Sequence, residues 1–397
     1  MRWIVGLAAL LAISATAAPD RISAIVTTKE RRAQYLAHAR LWHDPGALTA
    51  EDLAGEPAGA FPDSLEQASR ANGITCTFEK PGHLIGGHSP KFLCRMEDHE
   101  SLRLKYWDPK RRTGNREVFA MSAATRLFRA LGFESVPVLT LDVQCERCPE
   151  NPMTGDGAPA TRRYLAATRQ TPPKTLIVSS DDFDQGWAWR ELDSAIGGLP
   201  TGSERQQQRT HFDALTLLGV FIQHGDRKNQ QQSLYCDSSV DTALGKVTTG
   251  NGSSKTILVE GPAGSACASP VAAIIDNGAT FGGAGRTSNP TTAKMNLDQW
   301  RSHRLFRDER ADECRGNLTV SMAAGDMGEP NPLVSEDGRV FLLDRLHRLT
   351  PDHIRAIFTA ARVDQLADHD STQVDQWVTA FQDKVRQIET HHCRPLP

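Results

Sequence analysis

Residues 224–231 carry side chains suited to both proton transfer and metal binding. They read His-Gly-Asp-Arg-Lys-Asn-Gln-Gln and follow an apolar helical pattern. Asp226 could accept or orient a hydroxyl proton, and the amide oxygen of Gln231, five residues later, could bind a metal ion. Asn229 offers a second amide oxygen in the same stretch. The alternative is a helix-terminating turn in which Asp226 only pairs with a neighbouring cation.

A second carboxylate stands where a buried strand is expected to end. Asp276 follows the apolar residues 272–275 and precedes Asn277 and Gly278. A carboxylate in that position could hold a divalent cation that is itself bound to phosphate oxygens. The alternative is an Asx turn that only ends the strand.

Two further features could handle phosphate charge. Lys105 lies on a short alternating strand, and Glu117 follows twelve residues later in the first turn of a predicted helix. A lysine that neutralises phosphates needs a carboxylate to hold it, although a surface pair would fit the same spacing. Gly86 and Gly87 precede Lys91 in a turn between two strands, where backbone N–H groups could approach phosphates or simply form a plain hairpin.

The order of these motifs resembles the atypical kinases, meaning phosphatidylinositol 3-/4-kinases, HipA-type kinases and secretory-pathway protein kinases, over about residues 74–285. The resemblance implies an α+β, two-lobed protein-kinase-like fold with a small β-rich N-lobe and a larger helical C-lobe. It also implies ATP as the nucleotide, with Mg²⁺ or Mn²⁺. The implied roles are phosphate contact by Gly86, Gly87, Lys91 and Lys105, anchoring of Lys105 by Glu117, proton handling by Asp226, and metal binding by Asp276 with Gln231 or Asn229.

The chain departs from that family at three positions and in one spacing. Gln231 stands where the family has Asn, Lys228 where it has His, and Asn277 where it has Phe. Fifty positions separate Asp226 from Asp276, which requires an inserted hairpin. Two functions follow: an exported phosphotransferase acting on an unknown protein or small-molecule acceptor, or a non-catalytic pseudokinase or binding module on the same fold.

Hydrophobic periodicity predicts the elements that must position these residues. A helical, polar lead-in occupies 18–72, the N-lobe 73–180 and the C-lobe 181–397, with an inserted loop at 237–270. The predicted strands are 74–78, 91–95, 102–106, 136–143, 175–179 and 272–275. The predicted helices are 115–131, 204–223, 351–361 and 371–390, and a turn-rich loop over 145–160 is expected to contain Cys145 and Cys148.

Composition and the N-terminus indicate an exported globular protein. The 397 residues are 39% hydrophobic and 23% charged, with a formal charge of −3 and no basic block, so no nucleic-acid partner is expected. Residues 1–17 match a secretory signal peptide, and no other stretch is apolar enough to span a membrane after its removal. The expected location is periplasmic or secreted.

Eight cysteines in an exported chain favour disulfides. Proximity suggests Cys76–Cys94, Cys145–Cys148 and Cys236–Cys267, which leaves Cys314 with Cys393. The alternative for Cys145 and Cys148 is half of a zinc site, but the chain has no second CxxC. A hydrolase has less support, because neither G-x-S-x-G nor H-E-x-x-H occurs.

Overall fold

A computed structural model describes most of the chain from residue 24 to residue 393. The described residues are 24–57, 59–63, 65–67, 73–80, 89–97, 101–108, 115–169, 175–179, 186–237, 242–248, 254–260, 267–282, 294–307, 313–318, 331–366 and 373–393. The predicted signal peptide and the Gly86–Gly87 turn lie outside these residues.

The lead-in contains a strand as well as helices. It comprises β1 (Ala24–Thr27), α1 (Lys29–Ala37) and α2 (Ala50–Ala54). The Thr28 hydroxyl accepts a hydrogen bond from the backbone N–H of Arg31, and Thr49 forms a capping box with Asp52. These caps satisfy N–H groups at the start of each helix, which explains where the helices begin.

Five strands close into a barrel. They are β2 (Ile74–Glu79), β3 (Lys91–Arg95), β4 (Ser101–Trp107), β5 (Val138–Cys148) and β6 (Ala160–Arg169), in the order β2-β3-β4-β6-β5. Only β2 and β5 pair in parallel; the other neighbours are antiparallel. The interior is apolar, with Phe92, Leu104, Tyr106 and Leu141 fully buried.

The prediction of a loop over 145–160 is wrong for residues 145–148, because β5 continues through Cys148. The ladder with β6 shifts register between Cys145 and Cys148, and Arg147 between them has a left-handed φ of 52°. Apolar alternation stops after Val143, so the side chains carry no strand signal here. Strand β5 is extended by backbone pairing with β6, a strand that the hydrophobic periodicity did not predict.

Helix α3 (Glu117–Leu131) packs between the barrel and the lead-in and is buried along almost its whole length. Its outer side meets the lead-in through a buried ion pair between Arg126 and Glu56. The helix ends at Gly132, which has φ +81° and where a Cβ would lie 2.1 Å from the carbonyl oxygen of His43. A side chain is therefore excluded at that position, as the predicted helix stop requires.

A second sheet contains strands from distant parts of the chain. β1, β7 (Thr175–Ser179), β8 (Gln232–Cys236) and β11 (Pro270–Ile274) lie in that order, and β1 runs parallel to β7. Between β8 and β11, β9 (Thr242–Thr248) and β10 (Ser254–Glu260) pair as an antiparallel two-stranded unit. The disulfide Cys236–Cys267 joins the residues on either side of the segment that contains β9 and β10.

The remaining helices enclose the larger apolar core. They are α4 (Trp189–Gly197), α5 (Ser203–Phe221), α6 (Leu297–Ser302), α7 (Glu336–His347), α8 (Pro351–Ala360) and α9 (Val374–Thr390). Edge-to-face and stacked rings of Phe221, Phe281, Trp300, Phe358 and Trp377 fill its centre. None of the helices in the described ranges combines the length and apolar character that a bilayer crossing needs.

All four expected disulfides are present: Cys76–Cys94, Cys145–Cys148 and Cys236–Cys267, which proximity suggested, and the remaining pair Cys314–Cys393. Each joins segments that the folded chain already brings into contact, and together they use all eight cysteines. The zinc alternative for Cys145 and Cys148 therefore has no free thiols to support it. The chain is a mixed α/β, disulfide-bonded protein with a closed barrel and a separate four-stranded sheet.

Candidate functional site

Lys105 lies on β4, directly opposite Lys91 on β3. Its ammonium nitrogen is 2.7 Å from Oε2 of Glu117 and 2.8 Å from Oδ2 of Asp276. The strand presents the lysine, the first turn of α3 presents the glutamate, and the segment after β11 presents the aspartate. The structure therefore brings together three residues that the sequence places up to 171 positions apart.

Asp276 is fixed by its backbone as well as by Lys105. Its N–H and that of Ile275 both donate to the carbonyl oxygen of Gln231, at 3.1 and 2.8 Å. Its Oδ1 accepts from the N–H of Gly278 at 3.2 Å, which forms the Asx turn that the sequence analysis gave as the alternative to metal binding. A Cβ at Gly278 would lie 3.0 Å from Cβ of Glu117, so glycine lets this turn approach the first turn of α3.

A second lysine contacts the other oxygen of Glu117. Lys294 donates to Oε1, so the carboxylate has a cation on each oxygen. Together Lys294, Glu117, Lys105 and Asp276 form a row of alternating charges, which we call the four-charge chain. Sequence analysis missed Lys294, because it lies 177 positions from Glu117 and in no motif.

For Lys105, Glu117 and Asp276, the neighbouring opposite charges outweigh the effect of burial on the pKa. Burial works against the charged form of Lys105, yet the carboxylates of Asp276 and Glu117 outweigh it and raise the pKa of Lys105. Burial likewise opposes ionisation of Glu117, but Lys105 and Lys294 lower its pKa. Burial also opposes ionisation of Asp276, and the attraction of Lys105 prevails, so its pKa is lowered as well.

Lys91 adds a cation of different character. Its side chain is 4% exposed, and burial, together with repulsion from Arg103 and Lys105, lowers its pKa to about 8. An anion entering beside Lys91 would relieve that repulsion. Lys91 thus lies opposite Lys105 in the ladder of β3 and β4, whereas Gly86 and Gly87, expected to contact phosphates with it, lie outside the described residues.

Asp226 lies in the segment after α5 and is connected to Asp276 through one residue. Gln231 donates from Nε2 to Oδ2 of Asp226 at 3.2 Å, while its backbone carbonyl holds Asp276. Lys228 lies 3.2 Å from Oδ1 of Asp226. The side-chain oxygen of Asn229 instead accepts from the N–H of Gln230 at 3.1 Å, so this amide is engaged within its own short helical turn (Asn229–Gln231).

Two buried basic residues, His224 and Arg227, flank Asp226 in the sequence. His224 is fully buried, and neither of its ring nitrogens has a hydrogen-bond partner among the described residues. Burial and the nearby Arg227 lower its pKa to about 3. Arg227 stacks on Trp189 with its guanidinium carbon 3.3 Å from the ring centroid, and burial lowers its pKa to about 9.

Asn277 stands where the kinases that the sequence resembles have Phe, and it makes polar contacts. It is 2% exposed, and its amide nitrogen donates to the hydroxyls of Thr125 on α3, at 3.2 Å, and Ser135, at 3.4 Å. The turn after Asp276 is thus attached to α3 by hydrogen bonds. Thr125 supplies the partner that a buried amide needs.

Comparison with known proteins gives little beyond this geometry. No protein-family model and no curated protein matches the chain. Among solved structures, it is similar to the crystal structure of a Helicobacter pylori proinflammatory kinase, CtkA, at 14% sequence identity and a TM-score of 0.37. The similarity covers 80% of this chain and 95% of that one. The functional interpretation therefore depends on the contacts of Lys105, Glu117 and Asp276.

Proposed function

We propose that this protein is an exported kinase-like phosphotransferase on a two-lobed fold, with the barrel as the smaller lobe. It binds ATP with Mg²⁺ or Mn²⁺ and transfers the γ-phosphoryl group to a hydroxyl of a protein or small molecule. The observation that carries the proposal is the position of Lys105, whose ammonium lies between Glu117 at a helix start and Asp276 at a strand end. The predicted signal peptide and four disulfides support export to an oxidising compartment.

A buried lysine between two carboxylates suits phosphate binding for an electrostatic reason. Glu117 keeps Lys105 charged and in place, while Asp276 can turn away from it toward a metal ion when phosphate oxygens replace the carboxylate. Lys91 on the neighbouring strand adds a second cation for the same anion. A purely structural ion pair would need only one carboxylate.

The donor set fits a hard divalent cation. Asp276 and Asp226 offer carboxylate oxygens, and Gln231 keeps its amide Oε1 available because Nε2 bonds to Asp226. Oxygen ligands of this kind match Mg²⁺ and Mn²⁺ rather than softer metals. When bound, the cation would offset the charge of the phosphates.

Asp226 is the group that we assign to proton handling. It would take the proton from the acceptor hydroxyl while that oxygen forms a bond to the γ-phosphorus. The bond from the γ-phosphorus to the β–γ bridging oxygen breaks at the same time, and ADP leaves with the bonding electrons. Lys228, 3.2 Å from Asp226, would supply positive charge beside the residue that takes the proton.

A second candidate is a nucleotide-binding pseudokinase. Oδ2 of Asp226 accepts a hydrogen bond from Gln231, and Oδ1 lies 3.2 Å from Lys228, although it accepts no hydrogen bond among the described residues. If these contacts persist with nucleotide bound, they compete with an acceptor hydroxyl for Asp226. Binding and phosphoryl transfer must therefore be measured separately.

The binding test is titration calorimetry with thermal melting of the purified, oxidised protein, using ATP with and without Mg²⁺ or Mn²⁺. A ligand bound only by the folded state raises the melting temperature. We expect a metal-dependent rise that Asp276→Asn abolishes and the control Asp193→Asn retains, since Asp193 is an exposed partner of Arg209. No heat and no shift at millimolar ATP would refute both candidate functions.

The transfer test follows label from [γ-³²P]ATP into the protein itself and into mixtures of exported proteins and small-molecule alcohols. Label that appears with wild type and disappears with Asp226→Asn supports the phosphotransferase. Binding without transfer in every mixture favours the pseudokinase.

A further inference from the structure

Lys294 holds the oxygen of Glu117 that Lys105 does not use. Lys105 is 2.7 Å from Oε2, while Lys294 contacts Oε1. The Lys294 side chain is 13% exposed, and that of Glu117 is 8% exposed. At this burial an ion pair fixes the orientation of the carboxylate, whereas an exposed pair would fluctuate.

The backbone places Lys294 in this position. The N–H of Met295 donates to the carbonyl of Thr280 at 3.0 Å, and that of Asn296 to Phe281 at 2.7 Å. Arg116, which precedes Glu117, donates to the carbonyl of Met295 at 3.3 Å. The residues beside Lys294 are thus attached both to the turn that follows Asp276 and to the start of α3.

We propose that Lys294 is a positioning residue for nucleotide binding, acting through Glu117; this inference rests on the proposed function. Once Lys105 also contacts phosphates, it compensates only part of the negative charge of the buried Glu117 carboxylate. Lys294 supplies the missing compensation and keeps Oε2 directed at Lys105. Nucleotide binding thereby requires that both Lys105 and Lys294 pair with Glu117, although of these two only Lys105 contacts phosphate.

The test is a double-mutant cycle on ATP affinity, measured by calorimetry with Mg²⁺. Lys294→Met should weaken affinity about tenfold, the size of one charge-assisted hydrogen bond, and Lys294→Arg should restore most of it. In the Glu117→Gln background, Lys294→Met should have no further effect, because its partner charge is gone. Lys384→Met, at a buried lysine of α9 outside the site, controls for general destabilisation.

The outcomes separate this inference from the proposed function. If wild type binds ATP and Lys294→Met weakens binding equally with Glu117 and with Gln at position 117, Lys294 touches the ligand directly and the inference is wrong. It is also wrong if Lys294→Met leaves affinity unchanged, or if Lys384→Met weakens it as much. If wild type binds no nucleotide, the proposed function fails and the inference fails with it.

Discussion

Replacing Lys105 with Met removes the central cation of the four-charge chain and keeps most of the side-chain volume. Lys105 makes two charge-assisted hydrogen bonds, at 2.7 and 2.8 Å, to carboxylates whose side chains are 8% and 18% exposed. Glu117 keeps Lys294, so Asp276 is the carboxylate left without its cation. Removing one partner of a buried ion pair costs about 3–5 kcal/mol, and we expect about 3 kcal/mol off the free energy of unfolding at pH 7.

This loss should shrink as the pH falls. In wild type the pKa values of Glu117 and Asp276 are lowered, so their stabilisation is complete above about pH 4, near the unfolded values, and is lost on acidification. Without Lys105, burial and the charge of Glu117 both raise the pKa of Asp276, and only the weaker attraction of Arg169 opposes them. The folded variant then takes up a proton at higher pH than the unfolded chain, which stabilises it as the pH drops. The free energies of unfolding of wild type and Lys105→Met must therefore converge as the pH falls.

The assay is urea unfolding at pH 7.5 and pH 5, followed by the fluorescence of the six tryptophans that come after the predicted signal peptide. Lys228→Met is the matched control, because this lysine also pairs with an aspartate but the two side chains are 36% and 27% exposed. That pair should contribute less than about 1 kcal/mol. A Lys105→Met loss no larger than the control, or one independent of pH, would refute the electrostatic reasoning.

Three further predictions concern other residues. Glu56→Gln leaves Arg126 as a buried unpaired cation and should lower the free energy of unfolding by about 3 kcal/mol in urea titrations; a loss below about 1 kcal/mol would contradict the buried pair. The pKa of His224 in the folded protein is lowered to about 3, so below about pH 6.5 this histidine binds a proton only in the unfolded chain. The free energy of unfolding should therefore fall by up to about 1.4 kcal/mol for each pH unit of acidification. His224→Gln should flatten that slope, and an unchanged slope would assign it to other groups. Asp226→Asn should lower kcat for phosphoryl transfer by about 10²- to 10⁴-fold with little change in the KM for ATP, measured with saturating acceptor; a loss of less than tenfold would remove Asp226 from proton handling.

The site was predictable where its residues belong to local patterns. Lys105 lies on a short strand, Glu117 begins a helix, and Asp276 lies two residues after an apolar strand, so local patterns were enough to predict these elements. Proximity along the chain suggested three of the four cysteine pairs, whereas Cys314–Cys393, 79 positions apart, was only the pair that remained. For Lys105, Glu117 and Asp276, a few neighbouring residues identify the strand or helix concerned.

The rest depends on contacts between distant segments. Strand β6 reads Ala-Thr-Arg-Arg-Tyr-Leu-Ala-Ala-Thr-Arg and has no clear alternation, so only its pairing with β4 and β5 defines it. Closure of the barrel needs the parallel pairing of β2 with β5, and β1 acquires its place from β7. Lys294 reaches Glu117 only because Met295 and Asn296 bond to Thr280 and Phe281. No local pattern encodes such contacts.

The central claim is that ATP phosphates bind at Lys91 and Lys105. An acyl-phosphate derivative of ATP, which acylates lysines lying against the bound phosphates, tests it directly when the labelled peptides are identified by mass spectrometry. We expect the label on Lys91, whose lowered pKa of about 8 leaves more neutral amine, or on Lys105, with suppression by excess ATP and Mg²⁺ and loss in Asp276→Asn. Labelling only at other lysines, or labelling that ATP does not suppress, would contradict the account.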